Sequence, residues 1–389
     1  MTNGQAVAAE MLNGANSRKP DGLIKLGVLN DHGSSFLAGP ASILAAQLAV
    51  DDFLAANPGT KIEIVVGNHR SKPDVGATVA RQWFECEGVD AIFDMPNSAV
   101  ALAVNEVSRE LKKPLIVSGA ASADLTGKAK SPSTIHWTYD TWMLAHSTGE
   151  AIVKTGGDTW FFVTADYTFG HTLEAETSDV VVKAGGKVLG HALHKLYDPD
   201  LTPALEEAKK SGAKIIALAN AGRDTTNSIK QAAALGIFEG GQNLAALLCF
   251  VTDVHGLGLE KAQGLIFTET FYWDQNDQTR SFADRFQTVS QGIYPTMVHA
   301  GVYASILHYL KAVKAVGSTD GPAVIAKMKE MPTDDPLFGK GHIRQDGRKI
   351  HPAYLFEVKG PAESKYPYDY YKLRSTIPGE TAFRPEGQE

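Results

Sequence analysis

The sequence predicts an α/β protein of two Rossmann-like lobes, each a parallel sheet covered by helices, joined by three hinge crossings. Three observations carry that expectation. Short apolar runs of strand length alternate with amphipathic helical patterns, the rhythm of a parallel sheet buried on both faces. The rhythm restarts near residue 141. After residue 275 two long helical patterns follow one another with no strand between them, so the chain must return to a sheet already built.

Taken in order, Leu23–Leu29, Lys61–Val66, Asp90–Phe93 and Pro114–Val117 are the first four strands. Gly39–Ala56, Val75–Glu87 and Ser98–Leu111 are the helices between them, each with apolar residues at helical spacing. Ile135–Asp140 reads as a fifth, more exposed segment, and Thr141–Thr155 as a helix leading away. The second series has strands at Trp160–Val163, Lys187–His191 and Ile215–Ala219, with helices at Leu173–Ala184, Thr202–Ser211 and Thr226–Leu235. Leu244–Phe250 and Gly264–Phe267 close it. Thr279–Ser290, Met297–Val316 and Val324–Met331 are helices without strands, and Gly341–Val358 is a hairpin turning at Gln345-Asp346-Gly347. The expected division is a lead-in over 1–22, a first lobe of 23–141 and 275–333, a second lobe of 142–274 and 334–377, and a tail from 378 to 389.

A length of 389 residues suits two domains, each with its own core. The net charge of −7 argues against nucleic acid or an anionic membrane surface as partner, since both favour a basic face. No run of apolar residues is long enough to insert in a membrane. The two cysteines, Cys86 and Cys249, are expected to be buried packing residues rather than a bridge. Met1–Gly22 shows no basic segment followed by an apolar one, so no secretory signal is legible there.

Cofactor signatures fail, and neither a cofactor nor a metal is expected. Asp31–Gly39 has the wrong glycine spacing for a dinucleotide loop, and no phosphate-loop, H-E-x-x-H or paired C-x-x-C pattern occurs. His191 and His194 fall on opposite faces of one strand. A G-x-S-x-G elbow is also absent. Ser118 has no base placed by the sequence to activate it.

What stands out is a set of strand ends carrying small polar groups, where open α/β sheets bind ligands. Pro114–Val117 stops in Ser118-Gly119-Ala120-Ala121-Ser122, whose small residues open backbone N–H groups to an anion while Ser118 and Ser122 add hydroxyls. Asn97 and Ser98 sit at a helix N-terminus, where unpaired N–H groups favour negative charge, although either could serve only as a cap. Tyr167 and Phe169 follow the first strand of the second lobe. Ala221, Gly222 and Asp224 follow its third, and Asp253 its fourth. Each alone could be an ordinary loop; together around one crevice they predict a binding site.

On these residues the chain over 23–375 resembles the type I periplasmic solute-binding proteins of ABC transporters, in the branch of the leucine/isoleucine/valine-binding protein. Ile24–Val28, Pro114–Ser122 with Leu125-Thr126, Asp166–Gly170, Lys230-Gln231-Ala232 with Gly236, and Gly341–Gly347 carry the resemblance by their order. It implies a ligand clamped between lobes, with its carboxylate gripped by Ser98, the backbone of Ala120, and Ser122. It also implies an aromatic wall at Phe169, with Tyr167 near. Where the branched-chain binders have a tyrosine facing the ligand, this chain has Ala221-Gly222, and their ammonium-binding acid has only Asp253 or Asp224 as candidates. The expectation is therefore a small carboxylate, an aromatic acid ahead of a branched-chain amino acid. It is carried by a non-catalytic, monomeric, periplasmic component that docks on an ABC permease. A cytoplasmic ligand-sensing regulator on the same fold is the alternative, and an enzyme using the cleft a further one.

Overall fold

The computed structural model describes residues 22–32 and 39–388; the lead-in falls outside them apart from Gly22. In the first lobe β1 (Leu23–Asn30), β2 (Lys61–Asn68), β3 (Ala91–Asp94), β4 (Leu115–Val117) and β5 (Thr134–His136) form one parallel sheet in the order β2-β1-β3-β4-β5. Chain direction across the sheet switches between β1 and β3. The central strands are buried along their length, which explains their unbroken apolar runs. Helices Gly39–Ala56, Pro73–Glu85 and Ser98–Leu111 cover the two faces.

The second lobe repeats the plan with β6 (Thr159–Ala165), β7 (Lys187–His194), β8 (Ile215–Ala219) and β9 (Asn243–Ala246) in the order β7-β6-β8-β9, all parallel. A three-stranded antiparallel sheet joins it: β10 (Ile266–Glu269) pairs with β13 (Ala353–Val358), which pairs with β14 (Tyr371–Ile377). Gly264–Phe267 therefore opens a different sheet from the one it was expected to close. Met297–Val316 lies on Gly39–Ala56 and reaches β3, so the strandless helices pack on the first lobe. One side is anchored by Arg285 to Asp52 at 2.6 Å and Tyr303 to Asp52 at 2.5 Å.

Four expectations are corrected. The chain does not leave the first lobe at residue 334. The hairpin of β11 (His342–Ile343) and β12 (Lys349–Ile350) extends the edge at β5, because His136 N–H donates to Gly347 O at 2.9 Å and His136 bridges to Arg348. The return comes after β12, where the buried Arg348 guanidinium donates to Thr138 O at 3.0 Å and pairs with Asp140 at 3.3 Å. The segment from Ile135 to Asp140 is buried throughout, since the hairpin covers it. Residues after Pro361, whose richness in Tyr, Pro and charge predicts a segment that wraps a surface, instead supply β14, whose Tyr371 hydroxyl donates to the buried Glu269 at 2.8 Å. Cys86 is exposed at the end of its helix, while Cys249 is buried.

Candidate functional site

The carboxyl ends of both parallel sheets face each other, and between them lies a narrow cavity. Pro96, Ser98, Gly119, Ala121 and Tyr139 line it from the first-lobe side. Tyr167, Phe169, Ala221 and Leu248 line it from the second.

On the first side the loop after β4 is bent over the end of β3. Ser118 N–H and Gly119 N–H both donate to Asp94 O at 3.0 Å. Gly119 is required there, because a Cβ would stand 2.8 Å from the Pro96 Cα. The Tyr139 hydroxyl donates to Gly119 O at 2.7 Å, and His136 Nε2 holds Ala120 O at 2.8 Å. These contacts fix the loop so that Ala121 N–H and Ser122 N–H both point at Ser98 Oγ, at 3.3 and 3.2 Å. With its lone pairs so engaged, the Ser98 hydroxyl has its proton free to donate. Ser98 is also the first residue of a 14-residue helix, so the dipole adds to this anion-favouring corner. The Ser122 hydroxyl is buried without a protein partner, and the Ala120 N–H has no acceptor among the described residues.

Other residues singled out from the sequence are placed differently. Asn97 is a helix cap, its side chain accepting Val100 N–H at 3.1 Å. The Ser118 hydroxyl turns under the loop toward the helix Met297–Val316, 3.2 Å from where a Cβ on Gly301 would stand. Asp253 accepts Phe250 N–H at 3.0 Å within its own helical turn, and burial pushes its carboxyl up to about 7. Asp224 accepts Tyr197 N–H at 3.0 Å, and burial raises it as well. Gly222 has φ +58°, ψ −123°, a conformation that a side chain would strain, immediately before the helix Arg223–Ala234.

On the second side Tyr167 and Phe169 stand at the N-terminus of Thr168–Lys183, ring centroids 6.0 Å apart. Gly170 behind them is fixed by contact, because a Cβ there would overlap the Ala165 carbonyl. Burial holds the Tyr139 and Tyr167 phenols well above their usual range, so both are neutral. Tyr139 also meets Phe250 edge-on across the lobes at 6.4 Å. Pro96, Gly119, Ala121, Tyr139 and Leu248 were not singled out from the sequence. Of these, Ala121 and Gly119 lay inside a stretch that was, whereas Tyr139 and Leu248 carry no local signal. Among the described residues no group of three or more His, Cys, Asp or Glu side chains is arranged to hold a metal ion.

A two-lobed α/β fold with a cavity between the carboxyl ends of its parallel sheets is the architecture of the solute-binding proteins. The chain belongs to the periplasmic binding protein family, whose model matches residues 23–365. A periplasmic binding protein from Burkholderia mallei is 45% identical with a TM-score of 0.92, over 94% of this chain and 98% of that one. A branched chain amino acid ABC transporter periplasmic ligand-binding protein from Burkholderia xenovorans is 34% identical with a TM-score of 0.81, over 93% of this chain and 97% of that one. An ABC-transporter solute-binding protein from R. palustris, solved with benzoate, shares the fold at 20% identity and a TM-score of 0.82, over 92% and 99% of the two chains. No curated protein matched the sequence. The family is one of solute-binding proteins rather than enzymes, and no helix among the described residues is long and apolar enough to cross a membrane.

Proposed function

We propose that this protein is the periplasmic solute-binding component of an ABC uptake system and that its solute is a small carboxylate without an ammonium group. One observation carries the reading: among the described residues no charged side chain lines the cavity. Its polar groups are the Ser98 hydroxyl, the adjoining loop amides and two neutral phenols. A carboxylate is satisfied by such donors. A buried ammonium would be left without a counter-charge, which is costly. Asp224 and Asp253, the acids that could have supplied one, do not line the cavity, and each accepts a backbone N–H through one oxygen.

In this reading Ser98, the Ala120 backbone and Ser122 hold the carboxylate, while Tyr167 and Phe169 close over the body of the solute. Ala221 and Gly222 leave open a volume that a larger side chain would fill, which suits an aromatic acid better than a branched-chain amino acid. The protein acts as a monomer by hinge closure, and the closed form docks on the permease. A thermal-shift screen across amino acids and aromatic acids tests it. Aromatic or aliphatic acids lacking an amine should raise Tm, and a shift confined to amino acids would refute the reading.

A further inference from the structure

We infer that Tyr197 and Ser71 form a latch across the mouth of the cleft that sets the balance between closed and open lobes. The two residues occupy equivalent places: Ser71 lies on the loop after β2, Tyr197 on the loop after β7, and each strand is the edge of its own sheet. Their hydroxyls meet at 3.1 Å. Ser71 Oγ donates to Asp31 Oδ2 at 2.5 Å, so its single proton is used within the first lobe. The Tyr197 phenol is then the donor across the gap, to a serine oxygen polarised by a carboxylate.

Both loops are built to present these groups. Arg70 and Ser71 each have φ +53°, and Tyr197 has φ +64°, so three non-glycine residues sit in the left-handed region at the point of contact. Such backbone strain persists only where the surroundings over-determine it, and it concentrates at clamps. Here Asn68 Oδ1 accepts Arg70 N–H at 2.9 Å and the buried His69 Nδ1 accepts Ser71 N–H at 3.0 Å. Opposite them, Asp224 accepts Tyr197 N–H at 3.0 Å, Arg223 donates to Tyr197 O at 3.4 Å, and the Arg223 guanidinium lies over the phenol ring at 5.6 Å. Asp224 thus positions the latch from the second lobe. The inference rests on the two-lobed clamp and does not depend on which solute the cavity takes.

The test needs no solute. Cys86 is exposed and Cys249 buried, so a spin label on Cys86 and another on Lys183→Cys report the separation of the lobes by double electron–electron resonance. Solute-free protein should show a closed and an open separation. Tyr197→Phe and Ser71→Ala should each lower the closed-to-open ratio by about two- to ten-fold, the range for one net hydrogen bond. The double variant should lose no more than either single one. A parent protein confined to the open separation, an unchanged ratio in the single variants, or losses that add in the double variant would overturn the inference.

Discussion

Ser98 Oγ accepts the Ser122 N–H at 3.2 Å, which joins a helix N-terminus to a strand-end loop at one point of the cavity wall. That hydroxyl holds two loop amides and still has a proton to give. Ser98→Ala should therefore weaken benzoate binding by about 1.5–3 kcal/mol, the range for a hydrogen bond to a charged group. Isothermal titration calorimetry checks it, and parental affinity in the variant would remove Ser98 from the grip.

Ser118 and Ser122 belong to one loop but face different ways. Both hydroxyls are buried and unpartnered, but that of Ser118 sits against Gly301 whereas Ser122 adjoins Ser98. Ser122→Ala should cost benzoate affinity about 1.5–3 kcal/mol. Ser118→Ala should leave it within about two-fold. Equal losses in paired titrations would mean that both act only through the shape of the loop.

Ala221 lines the cavity and is almost fully buried. Ala221→Tyr puts a phenol into this narrow space. Overpacking of this kind costs about 1–3 kcal/mol, so benzoate should lose roughly ten-fold or more in affinity, while acetate should be spared. A parallel loss for both acids, measured by competition, would instead indicate damage to the lobe.

Asp94 gives a pH signature. Its side chain is buried beside Asn30, and burial pushes its carboxyl up to about 7 from an ordinary value near 4. The folded protein then keeps a proton that the unfolded chain releases. The resulting stabilisation is full below about pH 4, declines as pH rises, and is gone once pH passes about 7. Asp94→Asn cannot titrate, so its Tm relative to the parent should rise between pH 5 and pH 8. Differential scanning calorimetry at the two values decides; a Tm difference that does not change with pH would contradict the assignment.

The lobes were legible in the sequence because parallel strands buried on both faces leave unbroken apolar runs such as Leu115–Val117 and Ile215–Ala219. Strand ends were legible for the same reason, and they led to Ser98, Tyr167, Phe169 and Ala221, which line one cavity. β14 was not legible: it is an edge strand whose Lys372 and Arg374 pair with Glu357 of β13, so it reads as a charged tail. Attachment of the β11–β12 hairpin to β5 rests on the His136 N–H donated to Gly347 O and on the buried Arg348, neither of which has a periodic pattern. Tyr139 is placed by Gly119 O and Phe250, partners distant in sequence. Asp224 and Asp253 look available from their loop positions, but neither lines the cavity, and each turns one oxygen to a backbone N–H.

The central claim is that the cleft takes a carboxylate that lacks an ammonium group. Calorimetry with a matched pair, L-leucine and 4-methylpentanoate, isolates that group, because the second is the first without its amine. Removing an unpaired buried cation should improve binding, so 4-methylpentanoate is predicted to bind at least about ten-fold more tightly than L-leucine, with Ser98→Ala weakening it. Tighter binding of L-leucine would contradict the account, since it would require a counter-charge that the described residues of the cavity lining do not supply.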